Sequence, residues 1–193
     1  MYIKSPYFIP RKRGTTALKQ MHNRGVKIRI LTNSQSSNDV AAAFAGYATY
    51  RKELVESGIE MHELRPDAGG NLIINQKTNL AKVHSGLHAK AMVFDEKTVF
   101  VGSFNLDPRS VAINTEGGLY IESPALAKKV LAYMNEGAKP ENSYRVVLDK
   151  NGDLNWLEVT DGKQKVYHTD PHTSGWDKFK ADFIQAMPIE DQL

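Results

Sequence analysis

Apolar and polar positions change their period several times along the chain, and each change marks an element. YIKSPYF, residues 2–8, reads as a short strand closed by Pro10, and RKRG, residues 11–14, as a basic loop. TTALKQMHNRG (15–25) follows as a helix that Gly25 stops. In VKIRILT, Val26, Ile28 and Ile30 alternate with Lys27 and Arg29, the pattern of a half-buried strand. SSND (36–39) then offers side-chain caps for a long helix, along which Val40, Ala43, Phe44, Tyr47, Leu54 and Val55 recur at helical spacing until Gly58. IEMHEL (59–64) is the next strand. Strand, helix, strand, helix, strand is a βαβαβ unit, and such units build parallel sheets.

Residues 66–82 show no period and read as a loop. Two strands are expected at 88–95 and 98–104, another at GGLYIES (117–123), and a helix over PALAKKVLAYMNEG (124–137), with Pro124 at its start and Gly137 at its end. The tail changes character. SYRVVLD, NWLEV and KVYHT are short strands divided by the hairpin signals KNGD and TDGK, and SGWDKFKADFIQAM closes as an amphipathic helix. The expected fold is therefore α/β: a mixed, largely parallel sheet flanked by helices over residues 1–139, and a small C-terminal β-hairpin and helix extension over residues 140–193.

With 193 residues, 41% hydrophobic and 24% charged, the chain can bury one ordinary core. A net charge of +3 admits an anionic substrate without demanding nucleic acid. The absence of cysteine excludes disulfides, zinc–thiolate sites and a thiol nucleophile. No run of about 18 apolar residues is present to span a bilayer, and the N-terminus lacks the apolar core of a signal peptide. A cytoplasmic or peripheral membrane location is the expectation.

Chemistry concentrates in LHAKAMVFDEKTVFVGSFNLDP, residues 87–108. His88 and Lys90 are two apart, as are Ser103 and Asn105, and on strands each pair shares a face. An even hairpin pairing Asp95 with Thr98 would set Lys90 opposite Ser103 and His88 opposite Asn105, about 5 Å apart across the ladder. Asp95, an odd step from His88, would face away or cap the turn. Such a cluster suits a phosphodiester. An imidazole can attack phosphorus, a lysine and an asparagine amide can hold the non-bridging oxygens, and a serine hydroxyl adds a hydrogen bond. Lys90 supplies positive charge, so neither metal nor cofactor is called for. Glu116 is the carboxylate available to the second imidazole nitrogen. On spacing alone, a surface hairpin with scattered polar residues accounts for the same positions equally well.

Other features carry less. His84 and His88, like His168 and His172, are four apart, but neither pair lies on a convincing helix that would let it chelate a metal. RKRG can hold a lipid headgroup or a phosphate, or stay solvated. Trp176, Phe179, Phe183, Ile184 and Met187 form an apolar stripe with Lys178 and Lys180 opposite; packing on its own domain is preferred to a membrane interface.

HAKAMVFD matches the H-x-K-x4-D motif of the phospholipase D superfamily, GSFN (102–105) stands where that family has Gly-Ser-x-Asn, and Glu116 where it has a downstream acid. Together with SPYFIP, VKIRILTNS and NDVAAAFAGYATYRKELVESGIEMHEL, the chain resembles the second half of bacterial cardiolipin synthases, most clearly over residues 2–135. The resemblance implies a two-step displacement through a phosphohistidine, with phosphatidyl transfer to phosphatidylglycerol at the bacterial inner membrane. It carries catalytic roles to His88, Lys90, Ser103, Asn105 and Glu116, and structural ones to Asp95 and Gly102. The alternatives are a phospholipase D or a nuclease-type phosphodiesterase acting as a homodimer, or an inactive single-motif fragment; nucleic acid is the less favoured substrate. One departure matters. The family's cardiolipin synthases carry two motifs, whereas none of His22, His62, His84, His168 and His172 begins another H-x-K. The second motif is expected from an upstream half or from a second copy. A chain that opens inside a strand favours the upstream half.

Overall fold

The computed structural model describes residues 1–68, 86–160, 162–175 and 183–184. Its strands are β1 (Tyr2–Lys4), β2 (Arg29–Asn33), β3 (Glu60–Leu64), β4 (Ala91–Phe94), β5 (Thr98–Gly102), β6 (Gly118–Glu122), β7 (Ser143–Leu148), β8 (Leu154–Thr160) and β9 (Lys163–Tyr167). They form one sheet in the order β6-β5-β4-β1-β2-β3-β7-β8-β9. Helices α1 (Arg11–Asn23), α2 (Ala41–Glu56), α3 (Pro108–Ala112) and α4 (Pro124–Gly137) accompany them.

The βαβαβ unit is present, and β1–β2 and β2–β3 are its parallel pairs. The other six pairings are antiparallel, which corrects the expectation of a largely parallel sheet. Connections as short as those of β4–β5, β7–β8 and β8–β9 cannot make a parallel crossover. A second correction concerns RKRG, which is the first turn of α1 and not a loop. Pro10 brings a φ of −68°, and its carbonyl accepts the Gly14 N–H at 2.9 Å, so the helical ladder starts there.

Register explains the layers. Ile3, Ile30, Met61, Val146 and Trp156 lie in one row across five strands and bury against Leu18 of α1 and Phe44, Tyr47 and Leu54 of α2. The opposite face packs Val93 and Val99 against Ala127, Leu131 and Met134 of α4. That helix begins as its sequence dictates: the Ser123 side chain accepts the Leu126 N–H, and Pro124 fills the first turn.

The tail strands continue the sheet, and a buried polar network ties them down. Glu63, fully buried, accepts from Tyr47 Oη at 2.9 Å, Arg51 Nη1 at 3.0 Å and Trp156 Nε1 at 2.8 Å. Arg51 also forks onto Asp170 at 2.7 and 3.1 Å. Of the closing apolar stripe, Trp176, Phe179 and Met187 lie outside the described residues, as do residues 69–82 of the expected loop; Phe183 is exposed. No helix among the described residues is long and apolar enough to cross a membrane.

Candidate active site

The parallel strands β1, β2 and β3 end on one side of the sheet, and β4, antiparallel to β1, begins there. His88 and Lys90 lie just before β4, and Ser103 lies just after β5. The expected meeting of these segments occurs, but through a different register. Phe94 pairs with Thr98, leaving the three-residue connection Asp95–Glu96–Lys97. Asp95 and Glu96 both take left-handed φ values, 50° and 58°, and Lys97 N–H closes on Phe94 O at 3.0 Å. The pairing expected between Asp95 and Thr98 is therefore one residue out, and Lys90 faces Gly102, whose N–H approaches Lys90 O at 3.4 Å. Asp95 sits exposed in this turn, at the far end of β4 from His88.

Strand alternation consequently does not assemble the site; the chain bends out of the sheet after Gly102 instead. A Cβ at Gly102 would stand 2.7 Å from Gly118 Cα, so only glycine permits this approach of β5 and β6. Ser103 is then bonded across the bend. Its N–H donates to Gly117 O at 2.9 Å, its Oγ accepts the Gly117 N–H at 3.1 Å, and its Oγ donates to the Glu116 carboxylate.

Glu116 also accepts from Ser110 Oγ at 3.2 Å and Asn114 Nδ2 at 3.3 Å. The Ser103 bond first, then Asn114, Ser110 and the Lys90 charge, hold its pKa below the ordinary carboxylate value. Its expected bond to the His88 imidazole is not made; Ser103 has taken that place. Burial pulls the Lys90 pKa down, opposed by the negative charges of Glu116, Asp107 and Asp39. Lys90 Nζ donates to the main-chain oxygen of His88 at 2.9 Å. The His88 side chain is exposed and makes no hydrogen bond among the described residues. Asn105 is buried, with its Oδ1 unsatisfied, and its N–H donates to Ser110 Oγ at 3.3 Å.

Ser110 therefore links Asn105 to Glu116, a role the sequence reading missed. The signal was present in NLDPRS. Asp107 caps α3 by accepting Ser110 N–H at 2.8 Å, and Pro108 follows at the first helical position, which fixes where Ser110 falls. Beside this cluster the outermost strand on this side, β6, leaves Leu119 and Tyr120 exposed, and α3 and the residue that ends it leave Val111 and Ile113 exposed.

Elsewhere, His168 pairs with Asn155 at 2.8 Å and His172 stacks on Tyr144, so these two do not act as a pair; His84 lies outside the described residues. Among the described residues no group of three His, Cys, Asp or Glu side chains is arranged to hold a metal ion.

Comparison with known proteins agrees with this architecture. The sequence model described as "Cardiolipin synthase, PLD-like domain" matches residues 1–137. Cardiolipin synthase C of Escherichia coli is 38% identical over 188 residues, covering 97% of this chain but 40% of that protein. Nuc, a phospholipase D family member from Salmonella typhimurium, shares the fold with a TM-score of 0.50 at 22% identity, over 69% of this chain and 74% of that one. The phosphatidylserine synthase of Haemophilus influenzae does so with a TM-score of 0.54 at 15% identity, over 95% of this chain and 37% of that one. The chain thus spans well under half the length of the cardiolipin synthase it matches, and it belongs to the phospholipase D superfamily as a cardiolipin synthase-like, PLD-like domain.

Proposed function

We propose that this domain supplies one half of a phosphatidyltransferase acting on anionic glycerophospholipids. The observation that carries the reading is an exposed imidazole, His88, on the short segment that also bears the half-buried Lys90 cation, at the end of the sheet where the Ser103–Glu116 pair and the buried Asn105 lie. A nitrogen of His88 forms a bond to phosphorus as the bond to the first lipid alcohol breaks, and the departing oxygen takes its proton from a second histidine across the phosphate. The acceptor's hydroxyl then returns a proton to that second histidine, attacks phosphorus and releases His88. Lys90 and the Asn105 amide hold the non-bridging oxygens while charge shifts between them. Glu116 keeps Ser103 oriented. The test is to supply phosphatidylglycerol vesicles to the purified protein with a second motif present and look for a diphosphatidyl product and an acid-labile phosphoryl adduct. Release of phosphatidic acid alone would indicate a hydrolase, and cleavage of single-stranded DNA but not lipid would indicate a nuclease.

Lys90→Ala and Asn105→Ala are each expected to lower turnover by about 100-fold or more, about 2.7 kcal/mol, the cost of losing one preorganised donor. A loss under about threefold in either variant would count against its role on the phosphoryl oxygens.

In-line displacement puts the leaving oxygen on the side of phosphorus away from His88, so the single motif needs a partner. The exposed Val111, Ile113, Leu119 and Tyr120 beside Glu116 form the surface on which an upstream half or a second copy would dock. Turnover per chain is expected to fall on dilution as the assembly dissociates, with light scattering following size in parallel. A monomer whose rate per chain stays constant to nanomolar concentration would show that no second motif is required.

A further inference from the structure

The sheet has a gap beside His88. β1 ends at Lys4; Ser5 N–H still reaches Leu31 O at 3.1 Å, but the next residue is Pro6, which has no N–H to offer. Past that point the last residues of β2 have lost their neighbour on the β1 side. The segment leading into β4, residues 86–90, is not part of a strand. The Asn33 side chain bridges the space. Its Oδ1 accepts the Leu87 N–H at 2.8 Å, and its Nδ2 donates to Leu87 O at 3.3 Å and to Pro6 O at 3.5 Å. A carboxamide carries the donor and acceptor of a peptide group, so Asn33 pairs with Leu87 as a strand residue would.

Both partners are buried: Asn33 is 1% exposed and Leu87 7%. Their bonds are therefore shielded from water, and losing one leaves a buried polar group unsatisfied. The residue after Leu87 is His88. Its carbonyl accepts from Lys90 Nζ at 2.9 Å, while its ring has no hydrogen-bond partner among the described residues. The direction of the ring is thus set through the backbone.

We infer that Asn33 is a positioning residue for His88: its side-chain amide replaces the missing strand and fixes the main chain from which the imidazole projects. The role assigned to His88 rests on the proposed phosphatidyl transfer. The test compares wild type, Asn33→Ala and Thr32→Val in the protein with both motifs present. Thr32 is the neighbouring buried residue, and its Oγ1 bonds Pro6 O at 3.4 Å, so it controls for general loosening of this strand end. Asn33→Ala is expected to lower kcat about 100-fold per titrated active site, as for a misplaced reacting group, with KM little changed. The Leu87 amide should also exchange its hydrogen faster, and Thr32→Val should do neither. Faster exchange at Leu87 with kcat unchanged would overturn the inference, as would an equal kcat loss in Thr32→Val. Should wild type form no phosphohistidine, the functional reading falls, and the rate at which diethyl pyrocarbonate modifies His88 decides instead. A rate altered in Asn33→Ala but not in Thr32→Val supports positioning; an unaltered rate overturns it.

Discussion

Replacing His88 by alanine is expected to abolish phosphodiester turnover, by at least about 10⁴-fold, or about 5.4 kcal/mol at 1.36 kcal/mol per tenfold. Among the described residues, no other histidine is placed to substitute for this nucleophile. His62 is buried between Glu60 and Ser143. His168 is bonded to Asn155, and His172 stacks on Tyr144. His22 has a buried, unpartnered Nδ1 and lies against Gly58. None of these four stands beside Lys90 and the Ser103–Glu116 pair. The measurement has two parts, steady-state turnover on a chromogenic diester with the second motif present and acid-quench trapping of the phosphoryl adduct. Alanine should remove the adduct as well as the turnover. Wild-type turnover in the variant, or an adduct that survives the substitution and maps to this chain, would sink the assignment.

What the sequence made legible follows from how local each cause is. Helix α4 begins and ends within its own residues, at Ser123, Pro124 and Gly137, and was readable to the residue. The β2 strand was readable from the alternation of Val26, Ile28 and Ile30, and the chemistry of the site from residue types at fixed spacing. The β4–β5 register was not. DEKT contains neither glycine nor asparagine to announce a left-handed turn, and alternation in the flanking strands does not distinguish a two-residue loop from a three-residue one. One residue of slip moved Ser103 from opposite Lys90 to the bend, where it meets Glu116. The first turn of α1 was hidden for a related reason: three basic residues and a glycine look like a loop until Pro10 is seen to start the ladder. Asn33 lies 54 residues from the main chain it holds, and no short-range pattern encodes that contact.

A second large effect is expected far from the site. Arg51→Ala should lower the unfolding free energy by about 3–5 kcal/mol, the cost of breaking one side of a buried ion pair. Burial works against the Arg51 charge, but Glu63 and Asp170 outweigh it and raise its pKa above the ordinary value. Arg51 also lies 4.6 Å over the Trp156 ring, so alanine loses packing as well as charge. Removing it leaves the fully buried Glu63 with only Tyr47 and Trp156 as donors, while Asp170, partly exposed, can turn to water. At a slope of about 2 kcal/mol per molar urea, the midpoint should fall by about 1.5–2.5 M. Because the network joins α2 and β3 to Trp156 of β8 and to Asp170, the strand-rich tail should unfold with the rest in one transition. The double variant Arg51→Met, Glu63→Gln separates the pair from its surroundings. Glutamine, without a charge, keeps its oxygen as acceptor for Trp156 Nε1 and turns its NH2 to donate to Tyr47 Oη, and methionine fills much of the volume, so the double variant should be more stable than Arg51→Ala. Single and double variants whose costs add to within about 0.5 kcal/mol would show that Arg51 and Glu63 do not interact.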